Sequence, residues 1–253
     1  MNRLTDKIAV VTGANSGIGR RTAELFAEEG ADLVLVARRL DKLEEVAAYC
    51  REKGSRTLCV SADVGREADC IRAIEEAIAA FGRIDVLVNC AGMADKHRPI
   101  TRTDADWWDE VIRVDQSSVY YMMREALKYM EPTGKGSIVN ISSIGGTSYN
   151  SGISYTAAKT AVVGMSKNVA IQFAGKGIRV NVVAPGPTPT PLNTPEQLAT
   201  FDGEFAAICG RHFDHTVPEV TVNDQANAIL FFACDDSLGC SGQVLVVDNG
   251  ASI

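Results

Sequence analysis

Seven short runs rich in β-branched residues recur along the chain: "KIAVVTG", "ADLVLVA", "RTLCVSA", "RIDVLVN", "GSIVNIS", "GIRVNVVAP" and "GQVLVVDNG". Stretches long enough for helices of ten or more residues separate them. Strands that read as continuous apolar runs are buried on both faces, and helical connections of this length imply parallel crossovers. A glycine closes the helical stretch before most strands, as in "EEGADLVLV", "EKGSRTLCV", "AFGRIDVLV" and "AGKGIRVNV". That is the left-handed cap that turns a helix into the next strand. The pattern predicts an α/β fold, a doubly wound parallel sheet of seven strands with helices on both faces.

Composition bounds the function classes. With 253 residues, 46% of them hydrophobic, the chain supports one well-buried core, and no linker or repeat divides it, so a single domain over 1–253 is expected. The formal net charge of -7, with no dense Lys/Arg run, argues against nucleic acid or anionic membrane as a partner. Seven cysteines, an odd number without a CxxC pair, suggest reduced thiols rather than a disulfide framework or zinc knuckle. No apolar run approaches the roughly 18 residues of a spanning helix, and "MNRLTDKIAVVTG" has no apolar signal core. A soluble, cytoplasmic protein is expected.

The first strand-to-helix junction reads "VVTGANSGIGRRTAELF", with Gly13, Gly17 and Gly19 leading into an amphipathic helix. Glycines there permit a tight turn and bring backbone N–H groups and the helix dipole close to a pyrophosphate. Further along, "ISYTAAKTAVVGMSK" sets Tyr155 and Lys159 four residues apart, one helical turn, so that phenol and ammonium share a face.

Together "TGANSGIG", "NCAG" at 89–92, "ISS" at 141–143, "YTAAK" and "PGPTPT" from Pro185 closely resemble the short-chain dehydrogenase/reductase family over essentially the full length. The resemblance implies a Rossmann-type oxidoreductase moving hydride between a nicotinamide and a carbonyl or alcohol. It also implies a homotetramer or homodimer. Hydride delivery to a carbonyl leaves an alkoxide that must be protonated, and the reverse reaction removes that proton. Free tyrosine, with a pKa of about 10, is too weak an acid for this near neutrality. A cation at about 4 Å in an effective dielectric near 20 favours phenolate by about 4 kcal/mol, roughly three pKa units. Lys159 can supply that charge, and by resemblance it also holds the nicotinamide ribose.

By resemblance a serine polarises the substrate oxygen. The motif matches Ser143, whereas the family's usual spacing of thirteen residues before the tyrosine points to Ser142. The strand-anchored motif favours Ser143. One departure is Asp115 in "VIRVDQSSVYY", where the family has an asparagine that supports a helix kink and a proton-relaying water. An aspartate keeps the shape without the N–H donor. It either partners Lys159 or is held protonated by burial.

Cofactor choice is read at the end of the second strand, "LVLVARRLDK", where an acid would bind the 2′-hydroxyl of NAD. Ala37 stands there instead, followed by Arg38 and Arg39, whose guanidinium groups suit the 2′-phosphate of NADP. Solvated helix-entry arginines are the alternative, and so is NAD, since Ser16 replaces the second basic residue of many NADP-binding relatives. By motif, the cofactor is further assigned to Gly13, Asn15, Ser16, Gly17, Ile18 and Gly19. Asp63 and Val64 are matched to the adenine, and Asn89, Ala91 and Gly92 to the fourth strand end. Pro185, Gly186, Thr188 and Thr190 complete the set.

Residues 188–220 are expected to form a helical substrate lid. Thr194 can cap one helix opening at Pro195 and ending before Gly210, with Leu198, Phe201, Phe205 and Ile208 as a single apolar stripe. If the stripe faces the cleft, the substrate is a small molecule, a hydrophobic cyclic alcohol or ketone such as a hydroxysteroid or bile acid. If it packs on the body or a neighbouring subunit, a 3-oxoacyl thioester, sugar or small ketone stays open. His212 and His215 in "RHFDH" read as surface or substrate-loop histidines, and no metal site is expected. The rival of another class is a non-catalytic nucleotide-binding sensor or scaffold.

Overall fold

A computed structural model describes residues 2–93 and 96–253. Its centre is a seven-stranded sheet, β1 (Ile8–Thr12), β2 (Asp32–Ala37), β3 (Thr57–Ser61), β4 (Val86–Asn89), β5 (Gly136–Ile141), β6 (Ile178–Pro185) and β7 (Val244–Val247). The order is β3-β2-β1-β4-β5-β6-β7 and every pairing is parallel. All seven apolar runs become strands. The order reverses between β1 and β4, which opens a crevice at the carboxyl ends of those strands.

Strand alternation explains the helices on both faces. Ala9, Val11, Leu33, Leu35, Val86 and Val88 point to one side, into a core shared with α1 (Gly17–Glu28), α2 (Leu40–Glu52) and α10 (Val222–Ala233). Val10, Val34, Val36 and Leu87 point to the other, against α3 (Glu67–Phe81), α5 (Ser118–Met130) and α7 (Ile153–Gln172). Because side chains alternate with period two, a run buried on both faces needs an apolar residue at every position. The glycines expected to end helices take positive φ: Gly30 (91°), Gly54 (92°), Gly82 (78°) and Gly177 (77°).

Between β4 and β5, α4 (Ala105–Ile112) runs through a π-helical turn, Arg113–Ser117, into α5. Beyond β5, the four-residue α6 (Ile144–Thr147) leads to α7. The single helix expected over 195–209 is a different structure: α8 (Pro195–Leu198) and α9 (Gly203–Gly210), separated by a turn. Thr194 does cap α8, accepting from Gln197 N–H. Asp202 then caps α9 by accepting from Phe205 N–H at 3.0 Å, while its own N–H donates to Lys96 O at 2.9 Å. A capping aspartate tied to another segment starts a new helix where apolar periodicity alone would run on. No helix of the described residues is long and apolar enough to cross a membrane.

Candidate active site

A cleft of about 730 Å³ lies across the carboxyl ends of the central strands. Its wall runs from the β1–α1 loop, past Ser143, Tyr155 and Lys159, to the segment between β6 and α10.

At the loop end the wall is largely backbone. Thr12 closes β1 and its hydroxyl accepts from the N–H groups of Cys90 and Ala91, each at 3.0 Å, tying the loop to the end of β4. A side chain at Gly13 would put its Cβ 2.9 Å from Ala91 N, and one at Gly19 would collide with the carbonyl oxygen of Gly13. The absence of side chains therefore lets loop, helix and strand end close up. Helix α1 begins with no side-chain cap at Ser16 and no acidic residue in its first turn. Its N–H groups and positive dipole end remain for an anion, and Asn15, Ser16, Gly17 and Ile18 line the cleft around them. This cradle fits a dinucleotide pyrophosphate.

Arg38 lines the cleft just beyond β2, exposed and without an ion pair among the described residues. Asp63 and Val64 line it beside Arg38. The Asp63 carboxylate accepts from Gly65 N–H at 3.0 Å and pairs with Arg113 at 3.1 Å. Arg113 also grips Glu110 at 2.8 Å, and its hydrogen bond holds that carboxyl below the ordinary range. Ala91, Gly92, Pro185, Gly186, Thr188 and Thr190 complete this part of the wall. Two residues assigned from motifs stand outside it. Arg39 sits exposed at the start of α2. Asn89 is buried, its amide donating to Asn140 Oδ1 at 2.8 Å, and Asn140 donates in turn to Ser166 Oγ at 2.8 Å. This buried ladder ties β4 and β5 to α7.

At the chemical end, α7 carries Tyr155 and Lys159 and α6 lies against it. Gly146 makes that approach possible, since a Cβ there would fall 2.6 Å from the Lys159 carbonyl carbon. The two serines separate by contact. Ser142 is buried and its hydroxyl donates to Lys159 O at 2.8 Å. Ser143 lines the cleft, and its oxygen accepts from Gly145 N–H at 3.1 Å, which leaves its proton for an acceptor in the cleft.

Lys159 is buried, with Nζ 5.4 Å from the Tyr155 ring centroid and donating to Ile141 O at 3.3 Å. Its nearest charge is Asp115, whose Oδ1 lies 3.0 Å away and whose side chain has no exposure. Asp115 stands on the π-helical turn and also accepts from Met93 N–H at 3.3 Å. Burial alone would push the Lys159 ammonium down, but the charges of Asp115 and Tyr155 outweigh it and hold Lys159 above its ordinary range. Of the two alternatives left by the sequence, the partnering of Lys159 is the one this structure displays.

The far wall combines Leu192, Leu198, Phe201, Phe213 and Val217 with His97, Asn150 and His215. The expected stripe divides: Leu198 and Phe201 line the cleft, whereas Phe205 and Ile208 do not, and Ala206 and Cys209 of α9 take their place. The break before Asp202 rotates α9 relative to α8. Phe201 stacks on His97 with ring centroids 4.3 Å apart. His215 donates Nε2–H to Gly210 O at 3.0 Å, and no metal-binding cluster occurs among the described residues. His97 and Phe213 had no signal in the sequence, because they sit in aperiodic segments that reach the cleft only through tertiary contacts.

Comparison with known proteins agrees with this geometry. A family model described as "Enoyl-(Acyl carrier protein) reductase" matches residues 13–252. The chain is 37% identical to a cis-4-hydroxycyclohexanecarboxylate dehydrogenase of Sinomonas cyclohexanicum, over 97% of this chain and 96% of that one. It is 34% identical to a 3beta-hydroxysteroid dehydrogenase of Mediterraneibacter gnavus, over 99% and 96% of the two chains. Among solved structures, a 3-ketoacyl-(acyl-carrier-protein) reductase of Brucella melitensis complexed with NADH superposes with a TM-score of 0.86 at 32% identity, covering 99% of this chain and 100% of that one. A seven-stranded parallel sheet, a glycine cradle and a Tyr/Lys pair in one cleft thus coincide with full-length similarity, and the chain belongs to the short-chain dehydrogenase/reductase family, NAD(P)-dependent oxidoreductases acting on CH–OH groups.

Proposed function

We propose that this enzyme interconverts a secondary alcohol and a ketone with NADP, on a hydrophobic cyclic substrate of the hydroxysteroid or bile-acid kind. The observation that carries the reading is the convergence of Ser143, Tyr155 and Lys159 on one cleft, with the glycine cradle and with Leu198, Phe201 and Phe213 of the far wall. The nicotinamide, when bound, supplies or accepts the hydride. In reduction, Ser143 donates a hydrogen bond to the carbonyl oxygen and Tyr155 gives it the proton that turns the developing alkoxide into an alcohol. In oxidation both transfers reverse. Lys159 orients the ribose and biases the phenol toward releasing its proton.

Gly13, Gly17 and Gly19 with the α1 N-terminus would hold the pyrophosphate, Asp63 and Val64 the adenine, and Arg38 the 2′-phosphate. Ala37, which offers no carboxylate to a ribose, supports NADP. NAD is the alternative, since the similar Brucella reductase holds NADH. Residues 188–220 act as the lid. The cyclic-substrate reading is supported by Leu198, Phe201 and Phe213 on the far wall and by relatives named for a hydroxycyclohexane and a hydroxysteroid. The Brucella relative favours a second reading, a 3-oxoacyl thioester, against which the net charge of -7 argues if the carrier is acidic. Exposed Phe231, Leu245 and Val246 on α10 and β7 support a homotetramer or homodimer.

The test is a panel of oxo-steroid, cyclohexanone, acyl-thioester and sugar substrates, each with NADPH and NADH. The highest kcat/KM should belong to a bulky cyclic ketone with NADPH. Turnover confined to thioesters or sugars would overturn the substrate class, a preference for NADH the cofactor, and no turnover at all would favour the sensor.

A further inference from the structure

The ion pair beneath the tyrosine changes the charge of the site. Lys159 and Asp115 are both buried, 3.0 Å apart, and water has little access to screen either. With the phenol protonated, the triad Tyr155, Lys159 and Asp115 sums to zero, where an uncharged residue at 115 would leave it at plus one. Among the described residues, nothing nearby restores the difference. Cys90, behind Lys159, is neutral because burial pushes its thiol up to about 12. The end of β5 and helix α6 present no charged or titratable side chain, only Ser142, Ser143, Thr147 and apolar or glycine residues. From the π-helical turn, Arg113 is engaged with Glu110 and Asp63. Asp106 and Asp109 of α4 are exposed to solvent. Asp248 accepts from Gly250 and Ser252 N–H, and His97 stands across the cleft against Phe201. The position is also built: a Cβ at Gly92 would fall 2.7 Å from Asp115 Oδ1, so the strand-end glycine leaves room for the carboxylate.

We infer that Asp115 is a positioning residue that cancels much of the Lys159 field at Tyr155 and thereby raises the pH at which the tyrosine exchanges its proton. Ketone reduction, which uses the phenol, then persists to higher pH. Alcohol oxidation, which uses the phenolate, develops only at higher pH. This rests on the reading of Tyr155 as the acid/base.

The test is the pH profile of kcat/KM in both directions for the wild type and Asp115→Asn, with Asp115→Ser as a second neutral variant should the first fail to fold. Removing the charge should move the acid limb of oxidation and the alkaline limb of reduction down by about one pH unit, a roughly tenfold rise in oxidation at a pH on the limb. Ultraviolet difference titration of tyrosinate, taken against Tyr155→Phe, should show the same displacement without substrate. If Tyr155→Phe is inactive but the Asp115 variants lose rate with unmoved limbs, this inference alone fails and the carboxylate is structural. If Tyr155→Phe retains turnover, the acid/base reading fails instead.

Discussion

At its glycine-loop end the cleft is walled by backbone, whereas at its 188–220 end it is walled by side chains on helices of four and eight residues. The loop is clamped on both flanks, by Thr12 on the β4 end and by the collision-free contact of Gly19 with Gly13. The far segment has Leu198 and Ile208 nearly half exposed and is held to the body by contacts such as Asp202 with Lys96 and Arg102. Under the proposed function, backbone amides would hold what every nicotinamide dinucleotide shares, which calls for rigidity. Side chains on lightly buried elements would, under the same proposal, select among substrates, and low local stability would suit a lid that opens and closes. Tyr155 stands where the two walls meet.

The largest effect should come from that junction. Tyr155→Phe removes the proton that both directions exchange, so kcat should fall by about 10²–10⁴-fold. Cofactor affinity, measured by fluorescence titration, should stay nearly unchanged. A variant with near-wild-type turnover would show that the acid lies elsewhere.

Next in size is a paired glycine test of the two walls. Gly19→Ala forces the first turn of α1 away from Gly13 and should weaken cofactor binding more than tenfold. At Gly203, in the first turn of α9, an added Cβ meets nothing within 4 Å. Gly203→Ala should leave cofactor binding alone and raise stability by about 0.4–1 kcal/mol through the unfolded chain. Equal effects in isothermal titration and thermal melts would erase the distinction drawn between the walls.

The smallest effect lies within the far wall. Phe201→Ala should raise KM several-fold for a bulky hydrophobic ketone while a small soluble ketone is little affected. Phe205→Ala, outside the cleft, should change neither. A matching rise in KM for Phe205→Ala would mean that α9 turns its other face inward in solution.

Much of this was legible before any coordinates. Continuous apolar strands, the glycine caps and the five motifs predict the sheet, its parallel connections and the neighbourhood of Tyr155, Lys159 and Ser143. The errors are local. The stripe through Leu198, Phe201, Phe205 and Ile208 satisfies helical periodicity, yet an aspartate cap inside it splits the helix, and periodicity carries no record of a cap's tertiary partner. Asn89 reads as a cofactor-lining residue because it sits at a strand end, but its amide serves a ladder to Asn140 that no spacing reveals.

What the sequence determined by itself was whatever depends on neighbours along the chain: burial of the inner strands β1, β2, β4, β5 and β6 on both faces, helix ends at glycines, and one helical turn between Tyr155 and Lys159. Only the tertiary structure decided which serine hydroxyl is occupied by the Lys159 carbonyl, which residues of 188–220 reach the cleft, and that Asp115 stands 3.0 Å from Lys159. Those contacts join residues 17 to 44 positions apart in the chain for the serine and the ion pair. Their geometry follows from how β5, α7 and the π-helical turn pack together, and packing between distant elements leaves no periodic trace in the sequence.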